Sequence, residues 1–209
     1  MNTLETFRDD LLRSINQSLD LIRTVNSIIS ESGLRVTMSI EQRDFIVEWA
    51  FVKVHAAWES FLENCFITYM LGIHTASGFA PVRYVFPHSE QHALDMILAG
   101  RDYFPWTAPD ATRRQSIICF QDGEPFRQIL DSTTTEIQEI NTVRNAVVHK
   151  SRKAIEKLKS LVRDKILTAP PDITPASFLL KTKSGTANRT YLTHYCNKLI
   201  VIANKIVPA

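Results

Sequence analysis

The chain has 209 residues, 44% apolar and 22% charged, with a formal net charge of +2. That is enough chain to bury a core without disulfides or metal, and too little charge to argue for nucleic acid on its own. Three isolated cysteines, no Cys-x-x-Cys pair and no apolar run of about 18 residues argue against a disulfide scaffold, a zinc knuckle and a membrane span.

The elements expected from periodicity are helical. Leu4, Phe7, Leu11, Ile15, Leu19, Ile22 and Ile29 recur every three to four residues, predicting an amphipathic helix over 3–31. Its start is acidic and lacks an apolar segment, so no signal peptide is expected and a cytoplasmic location follows. Ser39 and Gln42 form a capping-box pattern opening a second helix to about Leu71. Phe45, Trp49, Val52, Ala56, Phe61, Cys65 and Tyr69 cover more than one of its faces, which predicts the most buried helix of the domain. His55, Glu59 and Glu63 step by four and share a face of it. Such paired carboxylates serve acid–base chemistry or simply form a surface stripe.

Residues 73–132 read as an insertion: a Gly/Pro connector, a helix over 88–98, an aromatic loop, and helical pieces near 109–119 and 124–131. His88 and His92 have metal-ligand spacing, but no third ligand is evident, so no metal is assigned. Ser132-Thr-Thr-Thr135 would cap the next helix, with Ile137, Ile140, Val143, Val147 and Val148 inward. Ser151 would cap another over 152–167. Residues 178–187 read as a β-hairpin around Ser184-Gly185 or as a loop, and a last helix spans about 188–206. The expected fold is all-α, a single domain over 1–209.

Arg followed by His five positions later occurs three times, at Arg83/His88, Arg144/His149 and Arg189/His194, so the spacing alone carries little. Only Arg144 is followed by Asn, sits late in an apolar helix and leads into a basic run. Lys150, Arg152, Lys153, Lys157, Lys159, Arg163 and Lys165 face two acids, Glu156 and Asp164. Asn145, one turn before His149, would fix the imidazole tautomer. An imidazole that moves a proton beside a guanidinium that binds phosphate suits metal-free RNA phosphodiester cleavage.

Arg144-Asn145-Ala-Val-Val-His149 resembles the Arg-Asn-x-x-x-His signature of the HEPN superfamily (higher eukaryotes and prokaryotes nucleotide-binding). His55-Ala-Ala-Trp58-Glu59-Ser-Phe61 looks like the Trp-Glu stretch of its stand-alone prokaryotic members. The resemblance covers roughly 40–70 and 133–209. It implies an up-and-down bundle of four to five core helices and a metal-independent endoribonuclease without cofactor, a toxin or defence effector. Such enzymes leave a 2′,3′-cyclic phosphate and a 5′-hydroxyl. It further implies a homodimer with a composite active site, and an antitoxin protein as partner. By position, Arg144 and His149 match the catalytic pair, Asn145 the polar residue after the Arg, and Glu59 the acidic position of the earlier helix. Lys150, Arg152, Lys153 and Lys157 would contact the RNA backbone. Lys150 departs from the small residue common after the His. The alternative reading is a catalytically inactive dimer of the same type, acting as a binding or regulatory module.

Overall fold

The computed structural model describes residues 3–31, 38–166, 170, 172–186 and 189–208. Among them the protein is all-α, with no strand. The helices are α1 (Leu4–Glu31), α2 (Ile40–Met70), α3 (Glu90–Leu98), α4 (Pro109–Cys119), α5 (Phe126–His149), α6 (Arg152–Ile166), α7 (Pro175–Leu179) and α8 (Tyr191–Ile206). No described helix is long and apolar enough to cross a membrane.

Local chemistry sets the helix ends. Ser39 and Gln42 exchange side-chain-to-backbone hydrogen bonds of 2.9 and 3.2 Å, completing the capping box of α2. Ser89 caps α3 through the His92 N–H, and Ser151 caps α6 through the Ala154 N–H. The Ser132–Thr135 run does not start a helix. Instead α5 runs unbroken from Phe126, and the hydroxyls of Ser132, Thr133 and Thr134 bond back to the carbonyls of Ile129 and Leu130. Hydroxyls that bond back one turn are compatible with a helix interior. The hairpin expected near 178–187 is replaced: Phe178 and Leu179 close α7, and one isolated antiparallel bridge joins Thr182 to Thr190. Thr174 starts α7 with a capping box through Ser177, a signal hidden in a proline-rich loop.

The chain sorts into two compact units. The first comprises Met1–Leu12, Ala57–Gln138 and Leu199–Ala209, and residues 73–132 all lie in it. Its centre is aromatic: the Phe66 ring lies 4.9–5.3 Å from Trp106, Phe120 and Phe126. Such tilted pairs add to the burial of large apolar faces. Trp58 is fully buried and stacks on Phe61, so it is a core residue. The Tyr69 hydroxyl donates to the Ile206 carbonyl at 2.7 Å, tying α2 to the end of α8 within this unit.

The end of α2 is closed by Arg83, whose Nη1 donates to the Met70 carbonyl at 2.9 Å. Gly72 follows at φ +79°, and a Cβ there would sit 2.5 Å from the Arg83 guanidinium. Gly72→Ala therefore meets both left-handed backbone strain and a displaced cap. It is expected to cost about 2 kcal/mol, read as a lower denaturation midpoint at unchanged slope.

The second unit comprises Arg13–Ala56 and Glu139–Lys198. Val47, Phe51 and Val54 of α2 pack in its core with Ile140 and Val143 of α5, Leu158 and Val162 of α6, and Phe178 of α7. Ala154, Leu158 and Val162 step by four, so α6 buries one stripe and leaves Lys153 and Lys157 exposed. Lys165 is the exception: its Nζ lies 2.6 Å from Glu139 Oε1, and the Tyr195 hydroxyl donates to Glu139 Oε2 at 3.0 Å.

The cysteines are free and buried. Burial pushes the Cys196 thiol up to about 12, so the group rests as an inert thiol.

Candidate functional site at the end of helix α5

Helix α5 delivers three of the four residues expected to do chemistry, all in the second unit. Val143 and Ala146 are buried and fix the helix orientation; Arg144 and Asn145 are half-buried; Val148 and His149 are exposed. His149 is the last residue of α5. Lys150 follows with φ +45°, the left-handed conformation that ends helices and that glycine adopts most readily. Ser151 then caps α6, so two residues turn the chain from one helix to the next.

The expected bond between Asn145 and His149 is absent among the described residues. Asn145 Oδ1 accepts from Arg144 Nη1 at 3.1 Å instead. Adjacent residues point about 100° apart on a helix, but the guanidinium is long enough to fold back. Arg144 Nε is buried with no hydrogen-bond partner among the described residues. His149 is held by its backbone at the helix end, with the ring open to solvent.

One turn earlier lies a contact the sequence did not single out. His55 Nε2–H donates to Asn141 Oδ1 at 2.9 Å, joining α2 to α5 inside the second unit. His55 is 4% exposed, so it is a core histidine with a partner. Asn141, Asn145 and His149 step by four, so one polar row runs down α5. The four-residue step was the available signal.

Glu59 lies in the first unit, where it accepts a short hydrogen bond from the exposed Tyr103 hydroxyl. Glu63, one turn on, is held above its ordinary 4.5 by burial first and by the Glu59 charge second. A carboxyl raised on folding binds its proton more tightly in the folded state. Its stabilisation is thus present at low pH and lost as pH rises through the folded pKa. Glu63→Gln is expected to melt higher than wild type at neutral pH. The gap should close in acid, as thermal melts across that range will read.

Against expectation, the early part of α2 is not the most buried. Phe45 is 69% and Trp49 63% exposed. With Val52, Val147 and Val148 they wall a cavity of about 220 Å3 at the end of α5; Glu48 and Lys150 supply its charges. Burial pushes the Glu48 carboxyl up, and the Lys150 ammonium and a hydrogen bond from the Ala176 N–H oppose this.

Lys150, Arg152, Lys153 and Lys157 are all exposed. Arg152 pairs with Glu156 at 3.0 Å, an exposed contact worth little. Lys153, Lys157 and Arg163 form no ion pair among the described residues.

No family model, no curated protein and no solved structure matches this chain.

Proposed function

We propose that the protein is a metal-independent endoribonuclease of HEPN type. It would cut RNA to 2′,3′-cyclic phosphate and 5′-hydroxyl ends and act as a toxin or defence effector. The observation that carries this reading is the end of α5: a half-buried guanidinium, five residues before an exposed histidine, opening onto a basic helix.

The chemistry follows from the groups. His149 takes the proton of a ribose 2′-hydroxyl, and the 2′-oxygen attacks the adjacent phosphorus as the 5′-oxygen leaves. Arg144 would offset the charge that grows on the phosphoryl oxygens. A phosphoryl oxygen would meet the outer N–H groups of the guanidinium, in charge-assisted hydrogen bonds that strengthen as the charge grows. Lys150, Arg152, Lys153 and Lys157 hold the backbone, so binding should weaken steeply with salt. Glu59 belongs to this reading only through the resemblance. The same reading takes the working form to be a homodimer in which two α5 ends share one cleft, silenced by an antitoxin protein.

The Arg144–Asn145 hydrogen bond favours a second reading, a catalytically inactive dimer that binds RNA or a regulator. Purified protein incubated with end-labelled RNA in EDTA separates the two. Cleavage with cyclic-phosphate ends supports the nuclease. Salt-sensitive binding without cleavage, by a protein that is harmless when expressed, overturns it in favour of the silent module.

A further inference from the structure

The cavity at the end of α5 combines features that, Lys150 apart, the cleavage chemistry does not use. Two large aromatic side chains, Phe45 and Trp49, stand exposed at successive turns of α2. Between them in sequence is Glu48, half-buried against the first turn of α7 through the Ala176 N–H. Val147 and Val148 close the other wall, and Lys150 supplies a cation. The volume, about 220 Å3, is below that of pockets for drug-sized ligands and suits a single flat ring system. Val148 and Lys150 flank His149 in sequence, so the cavity opens at the same end of α5 that carries the imidazole.

Resting on the nuclease reading, we infer that this cavity is a guanine-recognition pocket for the nucleotide whose 2′-hydroxyl His149 deprotonates, so that RNA is cut on the 3′ side of guanosine.

Exposed aromatic rings are the general platform for unstacked bases. The carboxylate then selects among them. Guanine presents two adjacent donors, N1–H and the N2 amino group, which match the two oxygens of Glu48. It also presents the O6 and N7 acceptors, which match the Lys150 ammonium. Adenine and cytosine place a ring-nitrogen lone pair beside their single amino group, so one carboxylate oxygen meets repulsion. Uracil offers one N–H between two carbonyls. An apolar protein side chain is a poor occupant, because it would strip water from Glu48 and return no donor.

The test is binding by the full chain, which needs no cleavage. Guanosine, adenosine, cytidine and uridine 3′-monophosphates are titrated in turn, read by calorimetry and by tryptophan fluorescence. Trp58 and Trp106 are buried, so quenching reports Trp49. Guanosine 3′-monophosphate is expected to bind at least about tenfold tighter than the others. Glu48→Gln should abolish the preference, and Trp49→Ala, at an exposed position that folding tolerates, should weaken all four. Equal affinities, no binding, or a preference that survives Glu48→Gln overturns the inference. So does a concentration-dependent dimer that shields Trp49 and excludes every nucleotide. Selective guanosine binding by a protein that cuts no RNA would sink the nuclease reading and leave the pocket standing. Cleavage with no base preference would do the reverse.

Discussion

His149→Ala is expected to slow RNA cleavage by about 10²–10⁴-fold, the usual contribution of a positioned general base. RNA binding should change little, because the backbone contacts are assigned to Lys150 and α6. Arg144→Ala should lose about 10²–10³-fold if the guanidinium has the role proposed for it, as a donor to developing charge. Arg144→Lys should not restore it, since an ammonium lacks the planar fork. Arg144 is half-buried and Nη1 holds Asn145, so its variants need a melting curve; His149 is exposed and its variant should melt as wild type. Mixing the two inactive variants provides a sharper check on the homodimer. If two α5 ends share a cleft, a mixed dimer contains one intact Arg and one intact His, and part of the activity returns. If each chain works alone, nothing returns. Both single variants cutting at the wild-type rate would remove these residues from the chemistry.

How much of this was legible depended on the range over which each signal acts. Helix starts written in local side-chain chemistry were readable: Ser39/Gln42 and Ser151 cap as the sequence implies. Ser132–Thr135 misled because a run of hydroxyls fits two local geometries, and only tertiary packing of Leu130 and Ile137 makes the helix continuous. Phe45 and Trp49 misled in a more useful way. A helix apolar on every face is usually buried, and here the extra face is open. A sequence pattern counts apolar residues but not what covers them, so the wall of the cavity was invisible. His55–Asn141 bridges 86 positions, beyond the reach of any local pattern. Lys150 shows the reverse: it stands where the resemblance implies a small residue, and its positive φ explains why a small residue would suit that position.

Lys165→Met is expected to destabilise the protein by about 3 kcal/mol, the low end for stripping one partner from a buried ion pair. Glu139 is only 9% exposed, whereas the Lys165 side chain is 31% exposed, so water recovers part of the loss. The variant leaves a carboxylate in the core that still accepts from the Tyr195 hydroxyl. Tyr195→Phe alone should cost about 1 kcal/mol. Replacing the pair together, Glu139→Leu with Lys165→Met, should recover most of the deficit, since apolar side chains of similar volume can substitute for a buried pair. Urea denaturation of the two singles and the double gives the coupling directly; additive losses would mean that the 2.6 Å contact is not an energetic pair. The same residue also bounds the proposed RNA surface. Lys165 ends the basic run in the sequence, yet its charge is already matched by Glu139. The salt dependence of RNA binding should therefore be unchanged in Lys165→Met. In Lys157→Gln it should flatten by about 0.7 in the log–log slope, the loss of one phosphate contact on a single strand. A cation held against a buried carboxylate, as Lys165 is, has less to offer a phosphate than one left to solvent, as Lys157 is, and α6 contains both kinds.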